Sequence, residues 1–327
     1  MPPDCEIPSR VENPIHGGEP KRLEGILKNS VSIIPDIDGG NTMPTSPPRT
    51  AMIDSTNATL FTIAYPRQNA ESVILLHGGP GVPMDFTPIP EHLSSKYQVI
   101  AFDQRGTGRS PAKHAEYSMT EYLEDVDAVA QNFHLAKFHL FGHSWGGLLA
   151  QIYAERNPQN LSSLFLSSPS SGTGQIWKQT ENEVLAFNKQ RSGILGFSKM
   201  AIGLLFGILG SDTAYQRVFK QVLETYNKDF DPTFKATDAM VENVRAEPIN
   251  KTRPQILKYP LLKDAIDYGF PVMVTYGEKD IYGRSKEHVR SRFPKATFAG
   301  IENAGHIPWR HNKGRFFGIL NDFYKLG

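Results

Sequence analysis

Six short apolar runs, each bounded by glycine or charged residues, constrain this chain most. They read "SVILLHGG", "QVIAFDQRG", "KFHLFGHS", "LSSLFLSSP", "FPVMVTYGE" and "ATFAGIE". Their continuous apolar character suits central parallel strands buried on both faces. An earlier run, "TLFTIAYP", reads as an antiparallel edge strand. Helical patterns fall between the runs. "SMTEYLEDVDAVAQNFHL" opens on Ser118 with Glu121 three residues on, a capping-box pattern, and Leu123, Val126, Val129, Ala130 and Phe133 recur at helical spacing. "GGLLAQIYAERNP" stops before Pro158, and "GRFFGILNDFYKL" is a further helix near the C-terminus. Strands alternating with helices predict an α/β fold with a mostly parallel, doubly wound sheet.

Two regions depart from that alternation. Residues 1–50 are rich in Pro, Gly, Asn, Asp and Ser and are expected to form a flexible or loosely packed arm. Residues 171–259 read as amphipathic helices between two strand runs, which predicts an inserted helical cap. The core is then 51–170 with 260–327. A cap at that position lies over the C-terminal edge of the sheet, where such folds bind ligands.

Bulk properties exclude several functions. The net charge is +1 with no basic stripe, so no nucleic-acid partner is expected. The single cysteine, Cys5, cannot form an internal disulfide and is assigned no chemistry. The N-terminal stretch carries acids and prolines and lacks the apolar core of a signal peptide. No run reaches the roughly 18 apolar residues of a membrane span, so the expectation is a cytoplasmic protein with no membrane partner. The nearest approach, "ILGFSKMAIGLLFGILG" at 194–210, reads as cap packing on the core, or as the lining of a pocket for an apolar ester. A membrane-surface role is set aside because no matching basic face is legible. The histidines lack metal-ligand spacing such as H-E-x-x-H, so neither a metal nor a cofactor is expected.

The chemistry centres on Gly142-His143-Ser144-Trp145-Gly146, a G-x-S-x-G between the run "KFHLFG" and a helix. A sharp strand-to-helix turn needs small neighbours and presents the serine Oγ at the top of the sheet. A serine hydroxyl is a weak nucleophile and needs a base, which in turn needs an orienting acid. Asp280 falls in the loop after "VMVTYG", and His306 falls in the loop of "GIENAGHIPW". Chains with this turn carry their triad in the order Ser, Asp or Glu, His. That order assigns Ser144, Asp280 and His306, with Glu278 as the competing acid. His288 and His311 are placed on helices, and His143 is read as a packing neighbour rather than a base. Stabilising an oxyanion takes two backbone N–H donors. Trp145, after the nucleophile, is one; Gly79 in "HGGPG" (77–81) is the other. The "HGG" at 16–18 follows no strand and has no role. "FDQRGTGRS" (102–110) is read as a scaffold behind the oxyanion loop, with Asp103 and Arg105 as an ion pair.

Together, "HGGPG", "DQRGTGRS" and "GHSWGG" resemble the prolyl aminopeptidases (proline iminopeptidases) of the α/β-hydrolase superfamily. The resemblance covers about 59–170 and 260 to the end. It implies an α/β-hydrolase fold and a cofactor-free serine hydrolase that releases an N-terminal residue, often proline, from short peptides. It implies the same triad and oxyanion donors. The chain departs from the pattern at His143, where a glycine is more common, and at Gly147, where a serine is. Family caps supply glutamates for the substrate amine. Here Glu181, one helical turn from Trp177, is the first candidate, followed by Glu183, Glu224, Glu242 and Glu247. The alternative is a small-molecule carboxylesterase, lactonase or amidase on the same scaffold, since fold and triad do not fix substrate. A triad-bearing binding protein is a third reading, which turnover would discard. Carboxylate-nucleophile chemistry is disfavoured by Ser144.

Overall fold

In the computed structural model, which describes residues 47–326, eight strands form one sheet. They are β1 (Arg49–Ser55), β2 (Ala58–Tyr65), β3 (Ser72–Leu76), β4 (Gln98–Phe102), β5 (Phe138–His143), β6 (Leu161–Ser167), β7 (Val272–Gly277) and β8 (Thr297–Ile301). The order is β1-β2-β4-β3-β5-β6-β7-β8. From β4 to β8 every neighbouring pair is parallel. The run "TLFTIAYP" is antiparallel as expected, but β2 is not the edge: it pairs with β4 on one side and β1 on the other. β1 starts at Arg49, inside the segment expected to be an arm. Only Ile53 of its residues is buried and its apolar stretch is just Ala51-Met52-Ile53, so no long apolar run announces it; the β2 ladder defines it. Residues 1–46, with Cys5 and the 16–18 "HGG", lie outside the described residues.

Nine helices accompany the sheet: α1 (Ile89–Leu93), α2 (Met119–Asn132), α3 (Trp145–Arg156), α4 (Gly174–Ile208), α5 (Asp212–Asn227), α6 (Ala246–Lys258), α7 (Lys286–Arg292), α8 (Pro308–His311) and α9 (Lys313–Tyr324) among the described residues. α2 starts where its cap residue dictates, with Ser118 accepting from the Glu121 N–H at 3.3 Å. The central strands are apolar throughout because both faces are covered. Ile74, Leu76, Leu140 and Leu164 pack under α2 and α3, while Val73, Leu75, Phe141 and Phe165 face α9 through Phe316 and Leu320. Each such side chain contributes about 1.5–3 kcal/mol by leaving water. α4, α5 and α6 all fall between β6 and β7. α4 is kinked at Gly193, whose φ of 67° and ψ of 176° are not helical.

Candidate active site

The turn after β5 is built by close backbone approach. Ser144 has φ 54° and ψ −119°, a left-handed conformation that costs of order 1–3 kcal/mol for a residue with a side chain. Its neighbours make room for it. A Cβ on Gly146 would overlap the carbonyl oxygens of Leu76 and His77; one on Gly142 would lie 2.5 Å from the Gly146 oxygen. A Cβ on Gly147 would lie 2.7 Å from Pro169, so the serine that the resemblance leads one to expect here has no space. Ser144 occupies the N-cap position of α3 but its side chain caps nothing, leaving Oγ free for other partners.

Those partners come from the other sheet-edge loops. Ser144 Oγ lies 2.9 Å from His306 Nε2, and His306 Nδ1 lies 3.0 Å from Asp280 Oδ1. The structure therefore brings together the three side chains expected to form a triad. Two backbone bonds, Glu278 N–H to the Ile301 carbonyl and Lys279 N–H to the Ala304 carbonyl, each 2.9 Å, tie the Asp280 loop to the His306 loop. The competing acid, Glu278, points to solvent. Asp280 is buried, which would raise its carboxyl; the neighbouring His306 and the hydrogen bonds from His306 and Ser168 outweigh burial and hold it below the usual carboxylate range. The carboxylate is thus kept ionised beside the imidazole it would orient.

His143 is no base. Its Nε2–H donates to the His306 carbonyl at 2.9 Å, and its ring packs on His306 and on the edge of Trp309. Burial, reinforced by His306, pushes its pKa down to about 3, so it stays neutral. His288 and His311 fall on α7 and α8.

The "HGGPG" loop passes against the turn. A Cβ on Gly78 would sit 3.0 Å from Ser144 Cβ and 2.9 Å from His143 Nδ1, so only glycine allows this approach. Gly79 adopts φ 67° and its carbonyl accepts from Val82 at 3.0 Å, closing a tight turn. Among the described residues, neither the Gly79 nor the Trp145 N–H has a protein partner. Gln104 braces this loop. Its side chain donates to the His77 carbonyl at 2.8 Å and accepts from Trp145 Nε1 at 2.7 Å; its N–H donates to His77 Nε2 at 2.9 Å. "DQRG" does scaffold the loop, but through Gln104. The expected Asp103–Arg105 pair is corrected: Asp103 faces Arg109 at 3.3 Å, while buried Arg105 turns to Asp125 at 2.7 Å and to Glu121. Both residues lie beyond the end of β4, in the loop, so strand alternation no longer sets where their side chains go.

Three residues near the nucleophile escape a reading by motif. Tyr282, buried, places its hydroxyl 3.2 Å from Ser144 Oγ and 2.7 Å from Ser170 Oγ. Ser168 donates to Asp280 at 2.6 Å. Burial pushes the Tyr282 phenol well up, so it remains a neutral donor. The signal available was the serine run after β6, "SSPSSG", at the same sheet edge as the triad loops.

The cap residues stand as follows. Trp177 on α4 is half-buried, with its ring edge-on to Trp145 at 6.4 Å, and its buried indole N–H has no protein partner among the described residues. Both Glu181 oxygens are held by Arg253, at 2.6 and 2.8 Å. Glu183 accepts from Gly283 N at 2.7 Å, Ser285 N at 3.0 Å and Ser285 Oγ at 2.6 Å. Glu247 accepts from Tyr117 at 3.2 Å, and Glu224 lies 3.9 Å from Lys235. No group of three or more metal-ligating side chains occurs among the described residues.

In sequence and fold the chain is similar to known proteins. A family model described as alpha/beta hydrolase fold matches residues 71–309. The chain is 33% identical over 135 residues to a proline iminopeptidase of Lactobacillus helveticus; the match covers 39% of this chain and 46% of that protein, so it spans less than half of the relative. It is 26% identical over 248 residues to the proline iminopeptidase PfmaB of Pestalotiopsis fici, covering 73% of this chain and 86% of PfmaB. Among solved structures, the carboxylesterase CesB (YbfK) of Bacillus subtilis superposes with a TM-score of 0.58 at 16% identity, covering 85% of this chain and 92% of that one. With the sheet order, the loops and the family match in agreement, this chain belongs to the α/β-hydrolase-fold family of hydrolases.

Proposed function

We propose that the chain is a serine hydrolase working through an acyl-enzyme, with Ser144 as nucleophile, His306 as general base and acid, and Asp280 as the group that orients the imidazole. The observation that carries this reading is the continuous chain Ser144 Oγ, His306, Asp280 at 2.9 and 3.0 Å. Ser144 attacks a substrate carbonyl while His306 takes its proton. Asp280 holds the tautomer in which Nδ1 carries a proton and Nε2 accepts. The tetrahedral oxyanion takes up the unpartnered N–H groups of Gly79 and Trp145. His306 then protonates the leaving amine or alcohol. Water, activated in turn by His306, releases the acid and restores Ser144. Tyr282 donates to Ser144 Oγ and accepts from Ser170, which holds the Oγ rotamer and supports charge on that oxygen as it attacks and as it leaves.

For the substrate, the proline iminopeptidase relatives support removal of an N-terminal residue, proline among them, from short peptides. A second reading, a small uncharged ester or amide, is favoured by one observation: Glu181, Glu183, Glu224 and Glu247 are already engaged by protein partners, and Glu181, the first candidate for the amine, is held by a full Arg253 fork. The test is steady-state hydrolysis of a proline arylamide, with its amine free or blocked, beside a short-chain aryl ester. Cleavage of the free-amine arylamide alone establishes the peptidase. Ester turnover without arylamide turnover establishes the second reading. Ser144→Ala is expected to lose roughly 10³-fold or more in kcat on whichever substrate turns over, since loss of a triad member is that costly; near-native turnover would discard the mechanism.

A further inference from the structure

Beyond the kink at Gly193, α4 is inside out for a helix in water. Gly196, Met200, Gly203 and Gly207 recur at helical spacing on its inner face. A Cβ on Gly203 would lie 2.5 Å from Val218, and one on Gly207 would lie 2.8 Å from the Tyr215 ring, both on α5. The large apolar residues face outward: Ile194 is 87% exposed, Leu195 80% and Leu209 74%, with Ile202, Leu205, Phe206 and Ile208 all above half. Water drives the opposite choice, because each buried Leu or Ile side chain stabilises a fold and a buried glycine contributes little. Glycines between helices with Leu, Ile and Phe turned outward is the arrangement that suits a lipid surrounding, where close helix packing rather than the hydrophobic effect holds helices together.

We propose that the outward face of Ile194–Leu209 seats this protein on a phospholipid surface. Three further observations fit that occupant. From Val184 to Ser211 the chain has no Asp or Glu, while Lys189 and Lys199 are exposed there, so the segment itself carries no charge that repels lipid phosphates. The face is about 22 Å long at 1.5 Å per residue, too short for a hydrocarbon core of about 30 Å, so the helix lies in the interface rather than crossing it. At the kink, a groove of about 450 Å³ opens between Ala186, Lys189, Gly193, Ile194, Phe197 and Ser198. Its apolar walls suit an acyl chain, and the Lys189 amine beside it, 5.9 Å from the Phe197 ring centre, suits a lipid phosphate. A second copy of the chain is the competing occupant, and the light-scattering arm of the test separates it. The N-terminal half of the same helix reaches the site, since Phe187 packs on Tyr226 and Tyr226 on His306. The seated segment is thus one kink away from the catalytic wall.

The test is flotation of the full chain with vesicles of phosphatidylcholine, with and without phosphatidylserine, for wild type and Leu205→Glu/Phe206→Glu. Wild type is expected to float with both, more with the anionic vesicles. The double variant is expected to drop roughly tenfold or more in bound fraction, because two charges enter the apolar face. Both altered positions are exposed, so its circular dichroism and thermal midpoint are expected to match wild type. A folded double variant that floats like wild type overturns the proposal, as does a wild type that stays unbound at every lipid concentration. If instead neither floats and light scattering shows a wild-type dimer that the variant abolishes, the face joins two copies. Binding is read without turnover, so the outcome stands apart from the fate of the serine mechanism.

Discussion

The turn around Ser144 and the outer half of α4 both depend on glycine, and they use it to opposite ends. At the turn, Gly142 and Gly146 bring backbone against backbone, and the result is a single position for Oγ within 2.9 Å of His306 Nε2. On α4, Gly196, Gly203 and Gly207 bring a helix backbone against the side chains of Gln221, Val218 and Tyr215 on α5. There the result is a turned-out apolar face. Backbone atoms cannot rotate away from an added methyl group, whereas side chains can yield. The first contact is therefore unforgiving and the second adjustable.

Gly146→Ala is the sharpest way to break that contrast. Its new Cβ meets two carbonyl oxygens on the neighbouring chain segment, Leu76 and His77, and no rotamer relieves it. We expect a loss of about 3 kcal/mol or more, read from urea unfolding, at the upper end of overpacking costs. An unchanged midpoint would mean the turn has slack that this geometry denies it.

Tyr282→Phe probes what the fixed Oγ gains from a donor of its own. One neutral hydrogen bond has a net worth of about 0.5–1.5 kcal/mol, so kcat is expected to fall up to about tenfold with KM little changed. Single-turnover measurement should show deacylation slowed along with acylation, because Tyr282 touches Oγ as it attacks and as it leaves. A variant altered only in KM would make Tyr282 a wall of the pocket instead.

How far each region could be read from sequence follows from the same contrast. The elbow is a local backbone requirement, so Gly142, Ser144 and Gly146 announce it within five residues, and Asp280 and His306 follow because each ends a recognisable strand run. Tyr282, Ser168 and Gln104 have no such signature. Their roles arise from which loops meet at the sheet edge, a long-range fact that spacing does not encode. Arg105 was misassigned for this reason: its partner, Asp125, sits on α2, twenty residues on. The start of β1 falls inside the expected arm because an edge strand with one buried side chain, Ile53, offers only a three-residue apolar stretch. On α4 the apolar residues and the glycines were legible, but their direction was not. "ILGFSKMAIGLLFGIL" looks the same whether its leucines face in or out, and α5 decides which.

Acid should also separate the two regions. His143, beside Ser144, is pushed down to about 3 by burial and by His306, and His311 to about 4 by burial first; both lie at the sheet-edge site and neither is on α4. In the unfolded chain these histidines titrate near the ordinary value of roughly 6.5. Between those values the unfolded state binds the protons and the folded state does not. The stability from a neutral His143 is therefore complete above about pH 6.5 and declines as pH falls toward 3, by up to about 1.4 kcal/mol per pH unit. Urea unfolding of wild type and His143→Gln at pH 7 and pH 5.5 isolates it. Wild type should lose about 1.3 kcal/mol more than the variant. Parallel losses would show that His143 takes up its proton in the folded state.

The smallest effect is expected where the contact can adjust. Gly203→Ala places a methyl group 2.5 Å from Val218 Cγ2. Replacing glycine by alanine within a helix favours folding by about 1 kcal/mol. Overpacking opposes it by about 1–3 kcal/mol, and Val218, being β-branched, has few rotamers to retreat into. The balance is a destabilisation of about 1 kcal/mol, well short of the Gly146→Ala loss. Val218→Ala in the same chain should restore most of it, since the side chain that gave the clash is gone. If Gly203→Ala proved as damaging as Gly146→Ala and Val218→Ala failed to rescue it, the α4–α5 contact would be as rigid as the elbow. The outward face of α4 would then be set by its partner helix alone, with no surrounding needed to explain it.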